Sequence, residues 1–304
     1  MHRYRSIARA AALETLSDPL GLLLSVSAMA VIVLASVFHI HQFGESWRMA
    51  RDAALSSILV FMALDAVFSS IRAVRGEIES GTLQMALSHS VSRFGYCAAR
   101  FAGLFAACIL SFAPVVFTGL SIILGAQAGG IAAAQSGDIP LVWGPAVAAA
   151  SASITIPLLA GAAMNRFANA RFAVSATVCA LAVSAVSYAA LLFYARSSQI
   201  AMPEIHSAAL RMLPAIALLF PPVAVLAAAA QAFSFRFGEN ASATLCGVFC
   251  IAMLPALGNH YLSETLAEGG SVPWGYAGLA AAASVPFVLA FLAAGAALLE
   301  AKDM

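Results

Sequence analysis

Asp65 is the one acidic side chain deep inside an apolar run of this chain, the stretch from Ala53 to Ile71. An ionisable group at that depth is a functional candidate by default, because a charge taken into hydrocarbon is costly unless something answers it. Two roles suit it. It could line a substrate path or proton relay, or it could be structural, bonded to an arginine or to Ser69 one helical turn on. A proton-coupled carrier needs further groups of this kind, and no other apolar run offers a central acid, histidine or basic residue.

The remaining reactive side chains do not assemble into a site. Cys97, Cys108, Cys179, Cys246 and Cys250 fall in or beside apolar runs, and none forms a Cys-x-x-Cys pair. Cys246 and Cys250, one turn apart, could suit a soft metal, but no histidine or carboxylate lies near them in sequence, and buried free cysteine behaves as a small hydrophobe. His39 and His41 sit at the end of an apolar run, while His89, His206 and His260 are isolated. No Gly-x-Ser-x-Gly elbow and no His-Glu-x-x-His helix occurs, so neither hydrolase nor metalloprotease chemistry has its residues. The single lysine is Lys302, so a Gly-Lys-Ser/Thr phosphate loop is absent and the chain is expected to bind neither nucleotide nor metal itself.

The longest polar interruption runs from Glu77 to Arg93, Glu-Ile-Glu-Ser-Gly-Thr-Leu-Gln-Met-Ala-Leu-Ser-His-Ser-Val-Ser-Arg. A loop that only reversed the chain would need three or four residues, so this one is expected to be a docking surface, with residues 72–100 on the cytoplasmic side. Glu77 and Glu79 suit the positive end of a short helix beginning around Ser80 to Gln84, and Arg93 its C-terminal end. Leu83 and Leu87, four apart, share one face that could enter a partner's groove. An ordinary surface-lying amphipathic loop is the plainer alternative.

These residues also carry a resemblance. Glu77 and Glu79, then Gly81-Thr82-Leu83, Leu87-Ser88 and Val91-Ser92-Arg93, with Arg100 and Gly103 beyond, resemble the first cytoplasmic loop of ABC type-2 transporter permeases. Ser90 departs from the usual proline and Ala86-Leu87 from a paired leucine. The closest branch is the one often labelled multicopper-enzyme maturation permeases. The resemblance covers residues 1 to about 125 best. It implies that Glu77, Glu79, Gly81, Thr82, Leu83, Leu87 and Arg93 couple the chain to a separate ATP-binding subunit, which carries ATP and Mg. It further implies a homodimer of permeases, export of a cargo that the motif does not name, and a multi-pass inner (cytoplasmic) membrane location.

Composition sets the class. Of 304 residues, 62% are hydrophobic and 10% charged, against about 25% charged in soluble domains. The mean hydropathy is +0.93, and the net charge of +1 gives no argument for nucleic acid. The fold expected is an all-α polytopic membrane protein, with lipid as one of its partners. His2, Arg3, Arg5 and Arg9 resemble a signal n-region, yet the run from Leu20 to Ile40 is too long for a signal core and is expected to be a retained span.

Residues Tyr4 to Ser17 predict an amphipathic helix at the inner membrane surface, an interfacial elbow over residues 1–19 ended by Asp18-Pro19. Spans are expected at Leu20 to Ile40, Ala53 to Ile71, Phe101 to Gly125, Trp143 to Met164, Ala173 to Ala195 and Tyr276 to Leu299, with a Gly/Ala/Gln-rich loop from Gly125 to Leu141. Met212 to Phe233 and Ala241 to Asn259 are apolar enough to span, but Pro214, Pro221 and Pro222 crowd the first and the second is short. Eight spans are preferred, six the alternative. With eight and both termini cytoplasmic, eleven basic residues lie inside and four outside, namely Arg48, Arg51, Arg196 and Arg211. Trp47, Trp143 and Trp274 then fall at outer span ends, as an aromatic belt requires. Two other functions use the same features: a non-transporting membrane anchor docked through the same loop, and an ion-coupled secondary carrier.

Overall fold

The computed structural model describes residues 2–37, 46–83, 92–136, 144–197, 212–257 and 272–302. Among them there is no strand, and the chain is a succession of helices: α1 His2–Ser17, α2 Pro19–Val37, α3 Ser46–Glu79, α4 Arg93–Ser136, α5 Gly144–Ala168, α6 Phe172–Ser197, α7 Phe220–Arg236, α8 Glu239–Leu257 and α9 Trp274–Lys302. Seven stretches are long and apolar enough to cross a membrane: Pro19–Ser36, Arg48–Glu79, Arg93–Gly129, Gly144–Ala168, Phe172–Ala195, Met212–Arg236 and Trp274–Glu300. The chain is therefore an all-helical, multi-pass membrane protein. Helical geometry follows from the solvent: in hydrocarbon every backbone N–H and C=O must be bonded within the chain, and a helix does this locally.

The helices divide into two compact units. Unit 1 comprises Met1–Gly21, Met62–Ile109 and Ala217–Met304; unit 2 comprises Leu22–Phe61 and Leu110–Ile216. In unit 1, α7 packs along α9 and against α8, and Ile71, Ala230 and Cys246 form one of its buried clusters. In unit 2, α5 and α6 form a hairpin whose buried seam on the α5 side is Ala146, Ala150, Ser153, Pro157 and Gly161.

The expected elbow helix is α1, and it stops where Asp18-Pro19 predicts. Asp18 caps the next helix by accepting from the Leu20 N–H at 3.1 Å, and Pro19, with no N–H to satisfy, takes the first helical position. The prolines of the 212–233 stretch are accommodated in a similar way. The helix pauses in a turn at Leu218 and Leu219, and α7 restarts with Pro221 and Pro222 in its first turn, where missing N–H groups cost nothing.

One expectation differs from what is found. The Gly/Ala/Gln-rich segment after Gly125 is not a loop: α4 continues through it to Ser136, because alanine and glutamine are strong helix formers and isolated glycines only weaken a helix. The segment expected over residues 72–100 is helical at both borders: helix α3 runs on to Glu79 and α4 begins at Arg93. Of the aromatic belt, Trp274 opens α9 and is exposed, while Trp143 and the side chain of Trp47 lie outside the described residues.

Candidate functional site

Helix α3 has 34 residues and α4 has 44. At 1.5 Å per residue these are about 51 and 66 Å long, well beyond a hydrocarbon layer of about 30 Å. The C-terminal end of α3 and the N-terminal end of α4, which border this segment, both belong to unit 1.

The end of α3 explains why Gly-Thr follows the two glutamates. Ser80 N–H still bonds to Gly76 at 2.9 Å, and Gly81 N–H turns back to Ile78 at 3.3 Å. Gly81 sits at φ +71, the left-handed conformation in which a side chain is strained and glycine is not. The Thr82 hydroxyl pairs with Ser80 at 2.9 Å and reaches the freed Glu77 carbonyl at 3.5 Å. The Gly81-Thr82 pair is thus a helix stop, with a new helical turn at 82–83 beyond it.

Glu77 was expected at the positive end of a short helix; it lies instead in the last turn of α3, where the helix dipole presents its negative end. A carboxylate there needs a cation, and Arg100 supplies it. The Glu77 carboxylate ion-pairs with the Arg100 guanidinium and accepts from the Tyr96 hydroxyl, while Arg100 donates to the same phenol oxygen at 2.8 Å. The Arg100 side chain is 1% exposed and that of Glu77 25%. One phenol, donating to the carboxylate and accepting from the guanidinium, ties the foot of α3 to the head of α4. Arg100 Nε and Nη2 have no hydrogen-bond partner among the described residues, so the geometry leaves the guanidinium only part-satisfied.

Leu83 also departs from expectation. Rather than sharing an outward face with Leu87, it is buried against Val74, Tyr96, Cys97, Phe235, Leu292 and Leu299. Leu87 lies outside the described residues. Arg93 heads α4, an unfavourable place for a cation, and is paired to Glu300 of α9 at 2.8 Å; the residues of the expected coupling helix that precede it lie outside the described residues. Glu79 and Thr82 are exposed.

Helix α1 braces the same region. A Cβ on Gly103 would fall 2.0 Å from the Ala8 carbonyl oxygen and one on Gly95 2.6 Å from the Tyr4 ring, so α1 lies directly on the α4 backbone. Asp18 receives both of its Arg72 contacts at 3.0 Å, fastening the head of α2 to α3. Asp65, two turns earlier on α3, is fully buried; Ser69 donates to its Oδ1 at 3.1 Å, Oδ2 has no hydrogen-bond partner among the described residues, and a Cβ on Gly21 would meet Oδ1 at 3.0 Å. The Ser69 bond is one of the two bonds expected for this acid.

Tyr96, Glu300 and Gln231, which donates to the Cys97 carbonyl at 3.1 Å, have no counterpart in the sequence reading. The available signal was Tyr96 standing one turn before Arg100, which places both on one face of a helix. Among the described residues no three His, Cys, Asp or Glu side chains gather to hold a metal, and the cysteines are free.

No protein-family model matches the chain, and neither a curated protein nor a solved structure matches it.

Proposed function

We propose that this chain is the membrane-spanning permease subunit of an ABC transporter, moved by a separately encoded ATPase that docks on the segment between α3 and α4. The observation that carries the reading is the joining of two over-long helices, at the point where they leave the apolar layer, by the Glu77–Tyr96–Arg100 network. A motor pushing on residues 80–92 would move α3 and α4 together, because their ends share one ion pair and one phenol. The Gly81 stop, the buried Leu83 and the Arg93–Glu300 pair add to that stiffness and extend it to α9. ATP and Mg are held by the partner, and two permease copies would frame the path between them.

The ion pairs also support eight spans. Asp18 before α2 meets Arg72 near the foot of α3, and Arg93 at the head of α4 meets Glu300 near the foot of α9. A Cβ on Gly238, between α7 and α8, would lie 3.5 Å from Arg75. All of these belong to one end of unit 1. A chain that enters the membrane and finally returns at the same end crosses it an even number of times. The seven long stretches need an eighth, and α8, at 19 residues and about 28 Å, has the length. The excess of arginine at this end makes it the cytoplasmic one.

The test is co-purification in detergent of the chain with the ATPase encoded beside it, comparing native protein with Gly81→Pro. Proline, fixed near φ −65°, cannot take the left-handed turn. Co-purification lost in the variant is the expected result; a native chain that retains no ATPase refutes the reading. The sealed setting of Asp65 favours a second reading, a static anchor that docks the same ATPase but moves nothing, and a flux assay in vesicles separates the two.

A further inference from the structure

The α5–α6 hairpin of unit 2 ends in a tip unlike any charged turn of unit 1. Its reversal at 169–171 is made by Asn169 at φ 51 and a bond from Ala170 N–H to the Met164 carbonyl at 3.4 Å. Residues 162–169 are all exposed, and Phe167, at 88%, is the most exposed large hydrophobic side chain among the described residues.

The direction of that ring is informative. Ile156, Leu159, Ala163 and Phe167 follow one another at three- and four-residue spacing, which puts them on one helix face. Ile156 and Leu159 are themselves 48% and 72% exposed, so Phe167 continues an apolar stripe that faces lipid. Helix α5 has 25 residues, about 37 Å, and so overruns the hydrocarbon by roughly one turn. Its last turn therefore reaches the headgroup layer, where aromatic rings are favoured. A soluble partner would meet a ring turned away from the membrane; this one is turned along it.

The charges beside it have one sign. Arg166 and Arg171 are exposed, neither makes an ion pair with a described residue, and no Asp or Glu occurs between Asp138 and Glu204. The comparable turn in unit 1, Arg236-Phe237-Gly238-Glu239, carries its own acid. Two uncompensated guanidinium groups at headgroup depth, flanking an aromatic on the lipid-facing stripe, fit phosphate on a negatively charged surface.

We propose that the 164–171 tip is a binding site for anionic phospholipid, with Arg166 and Arg171 holding headgroup phosphate and Phe167 seated at the acyl boundary. Each arginine contributes about fivefold to the preference for an anionic over a zwitterionic lipid, and low salt strengthens it. The site rests on the chain spanning a membrane and not on the ATPase reading, so the co-purification result has no bearing on it.

The experiment uses the full chain with Trp47, Trp143 and Trp274 replaced by Phe and Phe167→Trp as the only tryptophan, reconstituted into vesicles containing brominated phosphatidylcholine or brominated phosphatidylglycerol. Quenching by both lipids, with phosphatidylglycerol preferred about 25-fold at low salt, is expected. Arg166→Gln with Arg171→Gln should bring the preference close to one. A sole tryptophan at position 159 instead, made by Leu159→Trp, should be quenched equally with and without the arginine changes, which shows that the hairpin still lies in lipid. No quenching at position 167 places the ring in water or against protein and overturns the site, as does equal quenching by the two lipids with both arginines present. No quenching at position 159 removes the lipid-facing stripe and overturns it as well.

Discussion

At one end of unit 1 the helices meet through charges that answer one another, Asp18 with Arg72, Glu77 with Arg100 and Tyr96, Arg93 with Glu300. Along the α5–α6 hairpin of unit 2 they meet through the absence of bulk: Ala146, Ala150, Ser153, Pro157 and Gly161 are buried, and a Cβ on Gly161 would stand 2.9 Å from that of Ala176. Lipid tails are as apolar as leucine, so helices in a membrane gain little by hiding hydrophobic area from one another. They associate by close backbone approach or by polar bonds. Close approach is cheap to build and tolerates sliding, whereas a carboxylate bonded to a phenol and a guanidinium has one geometry. Under the proposed coupling role, the region that transmits displacement would need the second kind of joint, whereas a hairpin in lipid can use the first.

Unit 1 also uses close approach, at Gly103, and there the largest effect is expected. Gly103→Val places a methyl-bearing Cβ against the backbone oxygen of Ala8, which no side-chain rotation relieves. We expect a loss of roughly 3 kcal/mol or displacement of α1. Tryptic cleavage at Arg5 and Arg9, both exposed on α1, reports it; undiminished protection of both sites would mean that α1 does not depend on this contact.

The polar joint is tested by a double-mutant cycle. Glu77→Gln strands a guanidinium that is almost wholly buried, and Arg100→Met strands a carboxylate at the negative end of α3; each should cost about 3 kcal/mol in thermal or denaturant unfolding. Together they should cost less than their sum by about 1–3 kcal/mol. Simple additivity would show that the two residues act independently, and the contrast between the units would lose its basis.

The smallest effect is expected at the unit 2 seam. Gly161→Ala forces a few tenths of an ångström between α5 and α6, a loss of about 1 kcal/mol, opposed by the gain of up to about 1 kcal/mol that alanine brings to a helix. A net change near zero in the unfolding midpoint is the prediction. Destabilisation as large as that of Gly103→Val would show the seam to be as exacting as the charged end.

Hydrophobic run lengths located the membrane helices, because twenty apolar positions in sequence leave no other structure in lipid, but α3 and α4 run beyond their apolar stretches at both ends. α1 and its end at Asp18-Pro19 were legible for a similar local reason. The candidate site was legible in composition and not in direction. Glu77, Gly81 and Arg93 stood out as polar punctuation, yet the reading did not place Glu77 in the last turn of α3 and it turned Leu83 outward, since a loop sequence does not say where the preceding helix stops. The continuation of α4 to Ser136 was missed because glycine was weighed more heavily than the alanines around it.

The sequence by itself determined that this chain is helical, lies in a membrane, and carries one polar segment set apart from the rest. Those are properties of single stretches, decided by transfer into lipid and by backbone bonding within each helix. Which charges neutralise one another was decided only by the tertiary structure. Arg100 lies 23 residues from Glu77 and Glu300 lies 207 from Arg93 along the chain, and the favourable pairing depends on distances of a few ångströms that exist only once the helix ends have been brought together.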